Sequence, residues 1–238
     1  MKINGTAHCL FEQSGTFRDA FREYGIPAYC YDIRDDYGKT DYRLDLFEEI
    51  RRAYDGKPSI FDGFSSQDLL LAFFPCTYFE GQQSMFFALN HRSGERWTPR
   101  RRIEYALDRL EQRTENHRLL YQLTAVCQER RLRLVIENPA SHPGYLLDGC
   151  NFPAPTIVDH DRSLRGDAMK KPTAYWFINC KPTQLQTLIS KPGGAKVRIT
   201  SLAPHSKERS ELSPAYARNF IGDFILGTPR ENTQLNLF

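Results

Sequence analysis

The sequence predicts an α/β fold, a mostly parallel sheet with helices on both faces. Three observations predict it. The first 33 residues alternate strand, turn, helix and strand. The run Leu69-Leu70-Leu71-Ala72-Phe73-Phe74 has no polar break, as a strand buried on both faces of a parallel sheet requires. Helical and strand-like patterns then go on alternating as far as residue 227.

Each element has a local reason. "AHCLF" (7–11) is a short apolar run that ends near Gly15. In "TFRDAFREYG" (16–25), Phe17, Ala20, Phe21 and Tyr24 recur at helical spacing and Gly25 is a natural stop. "PAYCYDI" (27–33) is a second strand, closed by the acid Asp32. "LFEEIRRAYDG" (46–56) is an amphipathic helix, and "DLLLAFF" (68–74) is the buried strand. Residues 80–100 are irregular, with aromatics and charge. The longest helical pattern is 102–131, followed by the strand "LRLVIENP" (132–139) and the strand "TAYWFIN" (173–179). A last helix over 213–227 has Ser213 as N-cap, Pro214 in its first turn and Gly227 as its stop. Residues 1–227 therefore read as one domain and 228–238 as a flexible polar tail.

Composition narrows the class. The chain has 238 residues, enough to bury a core, and 40% hydrophobic with 26% charged residues is ordinary for a globular protein. A net charge of +3 is compatible with a polyanionic partner without demanding one. No run approaches the ~20 apolar residues of a membrane span, and MKINGTAHCLF lacks the apolar stretch of a signal peptide. The six cysteines (Cys9, Cys30, Cys76, Cys127, Cys150, Cys180) form no C-x-x-C pair. They read as reduced thiols of a cytoplasmic protein, not as a metal site.

In parallel sheets, ligands sit outside the carboxyl ends of the strands. Three strand ends here carry unusual polar groups, Asp32, Cys76 and Glu137, and all three converge on one rim. Cys76 follows Pro75 immediately past an apolar run, whereas a packing cysteine more often sits inside such a run; taken alone it would read as a core residue. A thiol, an acid and a nucleotide-like pocket together suggest a reaction site.

The motifs, taken in order, resemble those of the cytosine-C5 DNA methyltransferases, and more closely the short, phage-type members of that family. "LFEQSGTFRDAF" (10–21) is similar to the family's cofactor loop, "YDI" (31–33) to its ribose-binding acid, "FPCTYF" (74–79) to its Pro-Cys nucleophile loop and "IENP" (136–139) to its Glu-Asn motif. "KKPTAYWF" (170–177) and "HSKERSELSPAYARNFIGDFI" (205–225) resemble later segments of the phage-type proteins. The resemblance implies a Rossmann-like S-adenosyl-L-methionine-dependent methyltransferase fold acting on cytosine in DNA. Cys76 is then the nucleophile and Glu137 the acid that activates the base. Phe11, Gly15, Asp32, Pro75 and, near the adenine end, Asp45 line the cofactor side, and Asn138 the substrate side.

Two departures from the family pattern stand out. Gln13 occupies the place of the first loop glycine, so the loop is expected to be wider or to hold the cofactor differently. The family's Gln-x-Arg-x-Arg segment is absent; Arg162 and Arg165 in "DHDRSLRGD", or Arg198, are candidate base contacts by location, with solvated surface arginines as the alternative. Loops at about 80–100, 140–170 and 180–210 are the room left for reading DNA. "RSGERWTPRRR" (92–102) joins five arginines to Trp97, a composition suited to phosphates and to stacking on an unpaired base.

The closing "QLNLF" (234–238) resembles the short peptide by which bacterial proteins bind the DNA sliding clamp. Leu235, Leu237 and Phe238 are suited to an apolar groove and Gln234 to hydrogen bonds. Two other readings stay open: a clamp-tethered, DNA-associated module whose site has decayed, and a methyltransferase acting on an RNA base or a nucleotide.

Overall fold

The computed structural model describes residues 1–80, 84–87, 97–140, 146–147, 151–184 and 211–227. The expected alternation is present: β1 (Ala7–Leu10), α1 (Thr16–Glu23), β2 (Ala28–Asp32), β3 (Tyr42–Arg43), α2 (Leu46–Tyr54), β4 (Leu69–Phe73), α3 (Ser84–Phe87), α4 (Pro99–Glu129), β5 (Arg133–Pro139), β6 (Ile157–Asp159), β7 (Thr173–Ile178) and α5 (Pro214–Phe220). The strands form one sheet in the order β3-β2-β1-β4-β5-β7-β6. β7 runs antiparallel to both its neighbours, and the pairs from β3 through β5 are parallel. The order 3-2-1-4-5 reverses direction between β1 and β4, which opens a crevice at the carboxyl ends of those strands.

The alternation of side chains along the central strands builds two cores, one on each face. Leu70 and Ala72 of β4 pack with Ile50 of α2 and with Leu119, Leu120 and Leu123 of α4. Leu69 and Leu71 face the other way, toward Phe17 and Phe21 of α1 and Phe220 of α5. A strand with apolar side chains on both faces is therefore required, and the unbroken run supplies it. Cys9 and Cys127 are fully buried in these cores, one in each.

Local chemistry sets the ends of the helices. The Thr98 side chain accepts from the Arg101 N–H and Pro99 sits in the first turn, so α4 begins three residues before the expected 102 and ends at Glu129. Ser213 caps α5 by accepting from the Tyr216 N–H. The expected helix over 213–227 is not uniform: after Phe220 it widens into a π-helical segment, Ile221–Leu226, and stops at Gly227 in the left-handed region (φ 68°). β3 and β6, with two and three residues, were not anticipated because strands so short carry no readable alternation. Among the described residues no helix is long and apolar enough to cross a membrane.

Candidate active site

Register places the site. Leu10 pairs with Tyr31 and with Ala72, and Ala72 pairs with Ile136. One step further toward the carboxyl end lie Asp32, Phe11, Phe73 and Glu137, of which Phe73 and Glu137 are direct partners. The chain leaves the sheet just beyond this row, and the departing loops wall a cavity of about 420 Å³. Phe11, Asp32, Asp45, Pro75, Cys76 and Glu137 all line it. This is the size of a small-molecule site.

The loop after β1 is shaped by two residues in the left-handed region, Phe11 (φ 59°) and Gly15 (φ 71°). Gln13 is not one of them, so its lack of glycine's freedom costs the backbone nothing. Its side-chain oxygen instead accepts from the Asp36 N–H at 3.1 Å, which ties this loop to the one after β2. Gly15 is the N-cap of α1, and a side chain there would collide with the Arg18 guanidinium. Gly15 thus shapes the loop without being among the described residues that line the cavity.

The start of α1 is occupied by a carboxyl from its own chain. Glu12 Oε1 accepts from the Phe17 N–H at 2.7 Å and from the Ser14 hydroxyl at 3.3 Å, and Oε2 accepts from the Arg18 N–H at 3.4 Å. Burial holds this carboxyl above the usual range, and the backbone donors oppose that rise. Asp32 accepts from the Arg34 N–H at 2.8 Å, and burial likewise raises its carboxyl. Asp45 caps α2, taking the Phe47 and Glu48 N–H groups at 2.9 and 3.3 Å on one oxygen.

Cys76 is half-buried and opens onto the cavity, unlike the walled-in Cys9, Cys30 and Cys127. Phe79, one turn on, stacks against Phe74 and meets the His117 ring edge-on, anchoring the loop to α4. Arg113 of α4 adds a hydrogen bond to the Tyr78 carbonyl at 3.0 Å. The thiol donates to Glu80 Oε1 at 3.3 Å. Burial first, then the negative charge of Glu80 and Glu137, push the thiol up to about 12, while Lys171 pulls the other way. Glu137 is 9% exposed. Its carboxyl is raised by burial, against the opposing charges of Lys171 and Arg162. Thiol, acid and Lys171 thus sit within one electrostatic neighbourhood.

The remaining candidates fall elsewhere. The Asn138 side chain is buried and donates to the Phe74 carbonyl at 2.8 Å; it holds the chain just past β4 and is not among the described residues lining the cavity. Arg162 and Arg165 are not solvated surface arginines. They are 1% and 2% exposed. Arg162 pairs with Asp167 at 2.9 Å, and Arg165 with Asp159 and Asp223 at 3.6 Å each. Neither is among the described lining residues, and Arg162 reaches the site through its charge on Glu137. Trp97 is not among the described residues lining the cavity; it stands edge-on to Tyr105 with Arg101 over its ring. Arg198 and the tail residues Gln234, Leu235, Leu237 and Phe238 lie outside the described residues, as do parts of the loops at 80–100 and 140–170.

Sequence reasoning did not single out Glu12, Lys171, Glu211 or Tyr37, all of which line the cavity. Glu12, Lys171 and Glu211 lie within segments already matched as motifs. Tyr37 and Glu211 meet across the mouth, hydroxyl to carboxylate at 2.5 Å, and only folding brings them together. Among the described residues no group of three or more His, Cys, Asp or Glu is arranged to hold a metal ion. No protein-family model matches the chain and no curated protein matches it significantly, so its functional reading stands on these residues and their geometry.

Proposed function

We propose that this protein is an S-adenosyl-L-methionine-dependent methyltransferase acting on C5 of cytosine in DNA through an adduct at Cys76. The observation that carries the reading is that a half-buried thiol and a buried acid from adjacent strands line one cavity together with the strand-end acid Asp32. The cavity suits the cofactor. Even with the buried Glu12 and Glu137 set aside, the lining carboxyl groups Asp32, Asp45 and Glu211 outnumber the cations Arg34 and Lys171, which favours a positively charged ligand. Glu12 already satisfies the amides at the start of α1, where dinucleotides place a phosphate, so a phosphate-free nucleoside fits better. Asp32 is placed to take ribose hydroxyls, and Ile33, Leu46 and Phe47 offer apolar surface to a base. When bound, the cofactor supplies a methyl group on a positively charged sulfur.

The protein's own groups do the rest. Cytosine C5 is a poor nucleophile. Addition of the Cys76 sulfur to C6 makes C5 enamine-like, and cysteine is the side chain nucleophilic enough for this near neutral pH. The charge that develops at N3 needs a proton donor, and a carboxyl in its acid form is one. Burial raises the Glu137 carboxyl, which favours that form. Pro75 stiffens the turn that presents the sulfur. The target base must leave the duplex to enter, at a cost of a few kcal/mol. The arginines and Trp97 at the start of α4 are suited to the strands beside it. The QLNLF tail, docked on a sliding clamp, raises the local concentration of DNA.

The test is covalent trapping. With cofactor and DNA containing 5-fluorocytosine, the wild-type protein is expected to form a stable adduct that Cys76→Ser does not form. Absence of the adduct from both rejects the reading. Methyl transfer compared on duplex DNA, single strands, RNA and free nucleotides identifies the substrate. Recovery of a sliding clamp on the full chain but not on a chain lacking 234–238 tests the tail.

A further inference from the structure

The nucleophile loop contains a second acid that the methyl-transfer reading has not used. After Pro75 the chain makes a single helical turn. The N–H groups of Phe79 and Glu80 both point back to the Cys76 carbonyl, at 2.9 and 3.2 Å. Residues four apart on such a turn face the same side, and Glu80 Oε1 accordingly accepts the thiol proton at 3.3 Å. Phe79 locks the turn by packing on Phe74 and His117, so the pairing is built into the loop and not a chance surface contact.

We propose that Glu80 is the proton acceptor for Cys76: it takes the thiol proton as sulfur bonds to C6 of the base, and returns it when sulfur leaves. This rests on the methyl-transfer reading of the same cavity. The step balances. The S–H electron pair forms the S–C6 bond, its proton moves to the Glu80 carboxylate, and the C5 proton is later lost to water as the S–C6 bond breaks. The sulfur then recovers its proton from Glu80. The environment calls for such an acceptor, because burial and the charge of Glu80 push the thiol up to about 12. Glu137 is less suited to the role, since burial raises its carboxyl and so favours the proton donor's part at N3. Glu80 is also distinct in position: it comes from the thiol's own loop, whereas Glu137 reaches the site from the neighbouring strand β5.

Glu80→Gln separates a proton acceptor from a merely repulsive neighbour, because the two roles shift two rates differently. Removing a negative charge beside the sulfur makes the thiol more acidic, so alkylation by iodoacetamide at pH 8, without DNA or cofactor, is expected to speed up. Removing a proton acceptor is expected to slow adduct formation with 5-fluorocytosine DNA at pH 7 by about 100-fold, with the deficit narrowing as pH rises. Glu80→Asp, which retains a carboxylate one methylene shorter, is expected to fall between, and unchanged thermal melting of all three proteins keeps the comparison fair. Adduct formation by Glu80→Gln at the wild-type rate or faster overturns the role of Glu80 and leaves the methyl-transfer reading intact. Failure of the wild-type protein to form any adduct overturns both.

Discussion

The Asn138 side-chain amide donates a 2.8 Å hydrogen bond to the main-chain carbonyl of Phe74, so the strand that carries the acid grips the strand that carries the thiol. Glu137 and Asn138 are consecutive, and Phe74 lies two residues before Cys76. Their side chains alternate across β5: the carboxyl faces the cavity while the amide secures the neighbouring turn. One strand therefore supplies both an acid that lines the cavity and the clamp that ties it to the turn before Cys76.

Asn138→Ala leaves the Phe74 carbonyl buried without its partner. The expected cost is about 1–3 kcal/mol of stability, measured by chemical denaturation. Adduct formation is expected to fall while affinity for S-adenosyl-L-methionine, measured by calorimetry, holds. Loss of cofactor binding to the same extent would mean that Asn138 supports the whole cavity and not the nucleophile loop.

Glu137→Gln removes a carboxyl that burial holds above its usual range. A group raised in this way contributes its full stability below its unfolded value near 4.3 and loses it as pH rises through the folded value. The variant, which has nothing to ionise, is expected to melt higher than wild type at pH 8 and to differ little at pH 4. Its methyl-transfer rate is expected to fall by roughly 10²–10⁴-fold. Wild-type activity should likewise decline as pH rises through the raised value, a limb that the variant lacks.

Asp32→Ala removes the acid at the end of β2, whose main-chain partner Arg34 N–H lies at an exposed turn. Affinity for S-adenosyl-L-methionine is expected to weaken by about 10–100-fold, the worth of a hydrogen bond to a charged group. Melting without cofactor should be little changed. Calorimetric titration reads the first and thermal melting the second.

His8, in the middle of β1, is 7% exposed and packs against Phe64, with Nδ1 2.9 Å from the Tyr31 hydroxyl. Burial lowers its ionisation to about 4 from the ordinary 6.5, although Asp68 nearby opposes the shift. A depressed value of this kind means stability present above pH 6.5 and lost as pH falls toward 4, by at most about 3 kcal/mol. His8→Gln is expected to abolish that slope between pH 6.5 and 4. Denaturation curves taken across the window check it, and an unchanged slope would assign the acid sensitivity to other groups.

Much of the frame was legible because its signals are local. The apolar run of β4, the Ser213 cap and the acids closing β2 and β5 lie within a few residues of the features they define. β3 and β6 were not legible, being too short to show a period. The reversal of β7 was not legible either, since a strand's side-chain pattern is the same in both directions. Arg162 and Arg165 show the same limit: both look solvated in "DHDRSLRGD" until folding closes Asp167 of that segment onto Arg162 and brings Asp159 and the distant Asp223 to Arg165.

What the residues alone determined is which groups stand at the carboxyl ends of the strands: Asp32, Cys76 and Glu137 occupy places that hydrophobic patterning sets without reference to the rest of the chain. What only the tertiary structure decided is their company. Pairing of β4 with β5 put the thiol and the acid in one cavity, Lys171 and Arg162 joined them through space, and Glu12 took over the start of α1. Ionisation and reactivity follow from burial and from charges brought close by folding, and those depend on contacts between residues tens of positions apart.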